Sequence, residues 1–310
     1  MTRIVSLCAR FFTMVLYVPG IRNVCPDSWY IRCHYRFRLG KKLSLKDPKT
    51  FNEKLQWLKL NDRNPMYKGL VDKYEVRKYV EERVGREYLI PLVYDRAFDT
   101  PDDIDPDTLP KGFVIKCTHD SGSAVIVRDS SSADWEGIKR RLRKSMRRNY
   151  YWIGREWAYD GVKPRVIVEQ LMSDDDSSDF RDYKIFCFNG EPRFIQVDFD
   201  RHTDHKRNIY STDWEFMGFT SMYPMAPEIQ IPRPPHLDRM LEIARALSEG
   251  ILHVRVDLYN TGSKIYFGEL TFYHGSGLEK YDPEEYDRIV GDMLDLSVCS
   301  SYRPERMDKQ

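Results

Sequence analysis

The sequence predicts an α+β fold in which helices come first and mostly antiparallel sheets follow. Three observations support this. A capping-box pattern at residues 50–53 begins a helix, apolar runs with the character of strands follow from residue 112 onward, and Asn189-Gly190 separates two of these runs. Both positions of a two-residue hairpin turn favour positive φ, so Asn-Gly indicates an antiparallel hairpin.

The first third of the chain is predicted to be helical. Thr50 can accept a hydrogen bond from the first turn while Glu53 reaches back, which predicts a helix as far as Asn61. Apolar residues then recur at helical spacing and predict a second helix ending near Gly85: Leu70, Val71, Tyr74 and Val80. Residues 88–94 are predicted to form a short strand.

Strands dominate the rest of the chain, after a loop rich in Asp and Pro at residues 98–110 that marks a lobe boundary. A basic helix is predicted at residues 139–148 and another helix at 236–249. The predicted strands are residues 112–119, 124–127, 166–171, 183–188, 193–199, 208–210, 254–258 and 265–270.

Composition limits the functional classes. The 310 residues carry 49 Lys and Arg against 48 Asp and Glu, a net charge of +1. This balance excludes a protein that coats nucleic acid through bulk electrostatics, so no nucleic-acid partner is expected and any anion site is local. The six cysteines form no C-x-x-C pair, which favours a reduced, intracellular protein. His202 and His205 lack further ligands and indicate a polar loop.

The N-terminal apolar stretch, residues 11–18, is too short to span a bilayer and has no cleavage-site pattern after it. We expect a soluble, cytoplasmic protein. Packing of this stretch in a core is favoured, although its flanking arginines leave peripheral association with the inner face of the membrane open.

A lysine and a hydroxyl share one face of the strand before the turn at residues 120–123. Lys116 and Thr118 alternate onto the same side, next to the backbone N–H groups of a turn formed by Asp120, Ser121, Gly122 and Ser123. Such a turn can bind phosphate oxygens. An ordinary hairpin with a solvated lysine is the alternative.

Two carboxylates are predicted to meet across the turn at residues 261–262. Arg255 and Asp257 lie on one face of their strand, as Glu269 and Thr271 do on the next. Two carboxylates inside an apolar sheet need a compensating cation, which Mg²⁺ with its preference for oxygen ligands would provide. A structural Arg–Asp ion pair is the alternative reading. His274, Gly275 and Ser276 follow directly and suit a pocket for a substrate carboxylate or a lid, or else a simple turn.

These segments, in this order, resemble the ATP-grasp superfamily, and in particular its teichuronopeptide-biosynthesis (TupA-like) branch, over residues 45–295. The resemblance rests on Asp72-Lys73, placed on a helix, Lys116 with the turn at residues 120–123, the strand ending at Glu169-Gln170, the run from Asp182 to Gly190, and Arg255 through Thr271.

The resemblance implies two α+β lobes that hold ATP between them, with a helical N-terminal extension. It divides the chain into a mostly helical region at 1–95, a lid subdomain at 96–170 and a catalytic subdomain at 171–310. Lys73 and Lys116 would contact phosphates, with residues 120–123 as the lid. The adenine contacts would come from Glu169, Gln170 and Leu171, with Asp182 beside them in the cleft.

The same resemblance implies Mg²⁺ ligation by Asp257 and Glu269. Many superfamily members have Asn where this chain has Thr271, so the ligand role of Thr271 rests on its hydroxyl. Lys184 would be a further cation in the cleft and a catalytic group. Arg255 would hold the acyl phosphate or the substrate carboxylate, with His274, Gly275 and Ser276 beside the substrate.

The implied activity is an ATP-dependent carboxylate–amine ligase acting through an acyl phosphate. Its expected partners are ATP, a uronic-acid carboxylate on a surface or capsular polysaccharide precursor, and an amino acid or another amine. One alternative is a metal-dependent glycosyltransferase using the D-x-D triplets at residues 174–176 and 198–200, which occur at about the chance frequency. The other alternative is a non-catalytic module that binds a polyanion or membrane through the basic helix at 139–148.

Overall fold

A computed structural model of the chain describes residues 24–172, 181–200 and 203–299, which form helices and antiparallel sheets. The helices are α1 Asp27–Leu39, α2 Phe51–Asn61, α3 Met66–Val71, α4 Val76–Arg83, α5 Trp135–Met146, α6 Tyr151–Gly154, α7 Leu237–Ser248 and α8 Tyr286–Asp292. The strands are β1 Phe113–Cys117, β2 Val125–Val127, β3 Val166–Gln170, β4 Arg181–Phe188, β5 Glu191–Phe199, β6 Lys206–Ser211, β7 Thr220–Ser221, β8 His253–Asn260, β9 Ile265–Thr271 and β10 Tyr281–Asp282. Single 3₁₀ turns cover Arg86–Tyr88, Pro101–Asp103, Pro106–Thr108, Ser130–Ser132, Trp157–Tyr159 and His274–Gly277.

The capping box at the start of α2 is confirmed. The backbone N–H of Glu53 donates to the Thr50 hydroxyl at 3.2 Å, and the Glu53 carboxylate accepts from the Thr50 N–H at 3.1 Å. The helix then buries Leu55 and Trp57 in the core. The reciprocal cap and the apolar positions after it therefore fix where this helix begins.

The single helix predicted to end near Gly85 is wrong, because the chain turns at Asp72 between α3 and α4. The Asp72 carboxylate accepts from the backbone N–H groups of Tyr74 at 2.8 Å and Glu75 at 3.0 Å, which favours a turn over a continued helix. Lys73 therefore lies in a turn, and its predicted place on a helix is wrong.

The strand predicted at residues 88–94 is also wrong. Leu89 makes one bridge to Phe267, and Leu92 makes one bridge to Glu169. Since Phe267 belongs to β9 and Glu169 to β3, this extended segment joins two different sheets and pairs fully with neither.

The larger sheet has five antiparallel strands in the order β6-β5-β4-β8-β9. The predicted hairpin between β4 and β5 is confirmed, with Asn189 at φ 52° and Gly190 at φ 85°. The sheet therefore forms a meander that is closed on its other side by the β8–β9 hairpin.

The two faces of this sheet differ in character. On β8, Val254, Val256 and Leu258 are buried on the face that α7 covers. Arg255 and Asp257 alternate onto the other face. Helix α2 contacts that second face through Phe51, whose ring packs on Phe186 and Phe188. A patch of aromatic side chains therefore lies next to the polar positions on this face.

The smaller sheet has the order β2-β1-β3, also antiparallel, and confirms the predicted hairpin of residues 112–127. Phe113, Ile115 and Cys117 point to a small core that includes Ile138 and Leu142 of α5. Lys116 alternates onto the opposite face.

The described residues form two hydrophobic cores. The larger joins helices α1–α4 to the five-stranded sheet and α7. The smaller joins β1 and β3 to α5, and these elements with the turn at residues 120–123 are called the smaller lobe. The division into residues 1–95, 96–170 and 171–310 stays a prediction. Among the described residues, no helix combines the length and apolar character needed to cross a membrane. The apolar stretch at residues 11–18 lies outside the described part of the chain.

Replacing Thr50 with alanine tests the capping box. We expect Thr50→Ala to lower the free energy of unfolding by about 1 kcal/mol, because the Glu53 N–H loses its acceptor, while Thr50→Ser keeps it. Urea unfolding followed by circular dichroism measures the difference. Equal stability of the alanine and serine variants would contradict this role for the cap.

Candidate functional site

The polar face of the large sheet is centred on an ion pair between Arg255 and Asp257. The guanidinium donates to both carboxylate oxygens at 2.6 Å, and both residues are buried. The side chains are neighbours because they are two residues apart on β8 and therefore on one face.

Two further polar residues reach this pair from β9, as the sequence predicts. Asp257 lies opposite Glu269 and Arg255 opposite Thr271 in the register. The second terminal nitrogen of Arg255 lies 3.3 Å from the Glu269 carboxylate and 3.1 Å from the Thr271 hydroxyl. That hydroxyl donates to Glu269 at 3.1 Å, so Thr271 orients the carboxylate of Glu269.

Lys184 approaches from the other side, on β4. Its register partner on β8 is Asp257, and its ammonium nitrogen lies 3.7 Å from the Asp257 carboxylate. The ammonium also contacts Asp182 and lies 4.0 Å from Asp198. The structure thus brings Asp182, Lys184, Asp257 and Glu269 together with Arg255.

These contacts continue into a buried network that the sequence did not reveal. Arg255 donates to Nδ1 of His274 at 2.7 Å, and Nε2 of His274 lies 3.1 Å from Glu279. Arg207 then links Glu279 at 3.3 Å to Asp198 at 2.7 Å. Because Glu279 holds one ring nitrogen of His274, the other nitrogen is fixed in position and orients the guanidinium of Arg255.

The electrostatics of the network follow from burial. Burial raises the pKa of Asp257 to about 6, although Arg255 and Lys184 oppose the shift. Burial also acts against the charge of Arg255, but Asp257 and Glu269 raise its pKa above the usual value. For Glu269, the charges of Lys73 and Arg255 outweigh burial and lower the pKa.

The small sheet contributes a second ion pair. The ammonium of Lys116 lies 2.6 Å from the carboxylate of Glu169, and both side chains are nearly buried. The two residues are diagonal neighbours on antiparallel strands, since Lys116 pairs with Ile167 in the register. The chain then leaves the sheet through Gln170, which is exposed, and Leu171, which is partly buried.

The turn at residues 120–123 has a buried base and an exposed tip. The Ser123 hydroxyl donates to Asp120 at 2.5 Å and accepts from the Cys117 N–H at 3.0 Å. Ser121 and Gly122 are exposed at the tip, and Gly122 adopts φ 87°. The tip therefore presents backbone groups outward while the side chains of Asp120 and Ser123 hold its base.

Lys73 connects the turn to the large sheet. Its ammonium donates to the backbone oxygen of Asp120, and its N–H donates to the oxygen of Thr118 at 3.0 Å. The Lys73 charge also acts on Glu269. Lys73 thus lies between the turn at residues 120–123 and the carboxylates of the large sheet.

Two tyrosines near this site were not predicted. Burial, followed by the charges of Glu156 and Glu269, raises the pKa of Tyr150 to about 12, with Ser121 opposing the shift. Its ring lies 4.8 Å from that of Tyr159. An isolated tyrosine after a basic helix has no distinguishing pattern, so no signal in one sequence could find this pair.

The segment His274–Gly277 is a turn held by side chains of α2, and its role as a pocket for a substrate carboxylate or as a lid stays a prediction. Gly275 and Ser276 both have positive φ, 54° and 55°. Lys59, which is buried, donates to the carbonyl and hydroxyl oxygens of Ser276 at 2.8 Å each, and Gln56 donates to the Ser276 carbonyl oxygen at 2.8 Å. Helix α2 therefore fixes the turn that follows the candidate metal ligands.

The basic helix α5 packs through Ile138 and Leu142 and turns its cations outward. Arg143 contacts Asp102, and Arg141 donates to the backbone oxygen of Gly122 at 2.9 Å. The helix thus contacts the 3₁₀ turn Pro101–Asp103 and the tip of the turn at residues 120–123.

His202 and residues 174–176 lie outside the described part of the chain. His205 stacks on Tyr223 and lies 3.3 Å from Asp198, as part of the network described above.

Comparison with protein families decides the classification. Residues 53–295 match the TupA-like ATP-grasp family. The chain belongs to this family. It has the α+β ATP-grasp fold. A search of curated protein sequences found no match.

Solved structures that resemble this chain do so at low sequence identity. The ATP-grasp ligase PsnB with a phosphomimetic precursor variant, Mg and ADP is 10% identical, with 68% of this chain and 52% of that chain covered and a TM-score of 0.38. The D-alanine–D-alanine ligase from Bacillus anthracis with ATP is 16% identical, with 75% and 66% covered and a TM-score of 0.39. The D-cycloserine synthetase DcsG is 13% identical, with 74% and 72% covered and a TM-score of 0.37. This chain spans about half the length of PsnB.

The pH dependence of stability tests the buried amine of Lys59. Burial lowers its pKa to about 8 from the ordinary 10.5, with Glu156 opposing. Between these values the unfolded chain binds more protons than the folded chain, so this group makes the free energy of unfolding rise with pH across that window. We expect the wild type to gain about 2 kcal/mol relative to Lys59→Met between pH 8 and 10.

Denaturant unfolding at several pH values measures this difference. Lys78→Met is the matched control, because the Lys78 side chain is 83% exposed and should leave the pH profile unchanged. Parallel profiles for the wild type and Lys59→Met would contradict the assignment.

Proposed function

We propose that this chain is an ATP-dependent carboxylate–amine ligase that acts through an acyl phosphate. We propose further that it amidates a uronic-acid carboxylate of a surface or capsular polysaccharide precursor with an amino acid or another amine. One observation carries the proposal: Asp257 and Glu269 face each other across β8 and β9 with Arg255 between them. Family membership supports the same activity.

The donor set fits a magnesium ion. Asp257 and Glu269 offer carboxylate oxygens, and the Thr271 hydroxyl lies beside Glu269, so every donor is a hard oxygen. Asp182 adds a third carboxylate, and two cations, Lys184 and Arg255, contact the group. Carboxylates gathered at one place repel one another, and a bound divalent cation relieves this repulsion. When bound, Mg²⁺ would neutralise charge on the phosphates of ATP.

The lysines have complementary positions for phosphoryl transfer. Lys116 on the small sheet and Lys184 on the large sheet would hold phosphate oxygens from two sides, with Lys73 between them. The backbone N–H groups at Ser121 and Gly122 would cover the terminal phosphates. The substrate carboxylate attacks the γ-phosphate, ADP leaves, and these groups stabilise charge on the transferring phosphoryl group.

The second half of the reaction uses the same cleft. The amine attacks the carbonyl carbon of the acyl phosphate, the carbon–oxygen bond to phosphate breaks, and an amide forms. Arg255 would stabilise the oxyanion of the tetrahedral intermediate, with His274 and Glu279 holding its guanidinium in place. No covalent nucleophile of the protein is needed.

The cytoplasmic location, with association at the inner face of a membrane, is part of the same proposal, because ATP and sugar precursors meet there. The glycosyltransferase alternative has less support in the described residues. Asp198, the first carboxylate of its triplet at residues 198–200, accepts a 2.7 Å bond from Arg207 and faces the network already described.

Thermal shift with nucleotide tests the proposed site. We expect ATP with Mg²⁺ to raise the melting temperature of the wild type, since a ligand that binds only the folded state stabilises it. Lys116→Ala should reduce this shift, because the lost ammonium no longer binds phosphate. The control variant Lys163→Ala removes a lysine of 66% exposure and should keep the full shift. A larger stabilisation by a nucleotide sugar than by ATP would instead favour a glycosyltransferase.

Ligase turnover tests the metal ligands. We expect Asp257→Asn combined with Glu269→Gln to abolish phosphate release, at least 100-fold below the wild type, because the oxygen ligands for Mg²⁺ lose their charge. Asp238→Asn removes a carboxylate whose side chain is 81% exposed and is the matched control. The assay crosses a panel of uronates with a panel of amines, and mass spectrometry identifies the product. Undiminished turnover in the folded double variant would reject the site.

A further inference from the structure

A cluster of metal-binding side chains lies at the end of β1, beneath α5. Cys117, His119 and Asp120 are all buried, and one ligand atom of each lies within 4.8 Å of the others. The cluster faces the core side of the smaller lobe, where Cys117 packs near Leu142 of α5. It is thus separate from the carboxylates of the large sheet.

The imidazole of His119 is oriented as a metal ligand. Its Nε2 lies 3.2 Å from the backbone oxygen of Arg148. A carbonyl oxygen only accepts, so Nε2 carries the proton and Nδ1 keeps its lone pair. Nδ1 is buried and lacks a hydrogen-bond partner among the residues that the structure describes. An unpaired buried acceptor is costly, and metal-binding histidines commonly donate their other N–H to a backbone carbonyl.

The carboxylate of Asp120 is held by two serine hydroxyls. Ser123 donates to one of its oxygens at 2.5 Å, and Ser145 of α5 donates to the other. A carboxylate accepts at about four lone-pair positions, so both oxygens keep capacity for a metal ion. Hydrogen bonds of this kind orient ligating carboxylates in metal sites.

We propose that Cys117, His119 and Asp120 bind one Zn²⁺ ion. The sulfur, nitrogen and oxygen donors suit zinc, which accepts all three in tetrahedral sites, whereas Mg²⁺ prefers oxygen alone. Three protein ligands leave a fourth position for water. The Cys117 thiol binds as the thiolate, so its proton passes to solvent as the Zn–S bond forms.

The site would connect three parts of the smaller lobe: β1 through Cys117, the turn at residues 120–123 through Asp120, and α5 through Ser145. Since Ser121 and Gly122 form the tip of this turn, bound zinc would restrict its motion.

Zinc titration of the full chain tests the proposal. The protein is freed of metal with a chelator, and ZnCl₂ is added in the calorimeter in the presence of excess Mg²⁺. We expect one equivalent to bind and the melting temperature to rise. Cys117→Ser should weaken binding at least tenfold, whereas Cys187→Ser should leave it unchanged. Cys187 is the matched control because it is also a free, buried cysteine, in the larger core.

Cobalt gives a second readout on the wild type. Co²⁺ at this site should show the thiolate-to-metal charge-transfer band and the intense visible bands of a tetrahedral ion, and His119→Gln should lose them. Absence of these bands, absence of zinc binding, or equal binding by the wild type and by a folded Cys117→Ser or His119→Gln variant would overturn the proposal. If the wild type binds zinc but shows no ligase turnover, the proposed function is contradicted and the zinc site is still supported.

Discussion

The bidentate ion pair between Arg255 and Asp257 is the interaction on which the site depends. A buried guanidinium and a buried carboxylate each lose their hydration, and the structure offsets this loss by surrounding the pair with further partners. Asp257 approaches Lys184, which approaches Asp198, which binds Arg207. Glu279 and His274 then return the network to Arg255, forming a closed ring in which cationic and acidic groups alternate, with His274 as the last link.

Strand geometry explains why these charged side chains lie on one face of the large sheet. Antiparallel register places Asp257 against Lys184 on one side and Glu269 on the other, so a single face collects charges from three strands. The opposite face remains apolar and packs on α7. Alternation along β8 and its neighbours, together with a β-bulge between β8 and β9, therefore gathers these carboxylates without a special loop.

The link between the two sheets includes a short extended segment and Asp72, in addition to the Lys73 contacts described above. Leu89 bridges to β9 and Leu92 to β3. Asp72 begins α4 and also accepts from the Thr118 hydroxyl at 2.8 Å and from Arg165 at 3.2 Å, both beside the smaller sheet. These contacts hold the two sheets next to each other.

The sequence predicted the parts of the fold that follow from local rules. The capping box at Thr50 and the Asn189-Gly190 turn are confirmed because their signals lie within a few residues. The pairing of Asp257 with Glu269 also followed, but it depends on a β-bulge between Asp257 and Leu258 that the turn alone does not predict. The helix continued through Asp72 was wrong, because helical spacing of apolar residues does not report a side chain that caps its own backbone.

Long-range support of the site was beyond the reach of a single sequence. Glu279 lies 72 positions from Arg207, and Lys59 lies 217 positions from Ser276, yet the first contact is buried and the second is partly buried. In the sequence, Glu279, Arg207 and Lys59 look like charged side chains of an ordinary surface.

The same limit applies to net charge. A total of +1 is compatible with an inert surface, but here it contains buried cations and carboxylates in alternation beside an outward-facing basic helix. Burial of opposite charges in one cluster cancels in the sum while creating strong local fields. The proposed ligand, ATP with Mg²⁺, also carries charges of both signs, so such a cluster suits it better than a surface of one sign would.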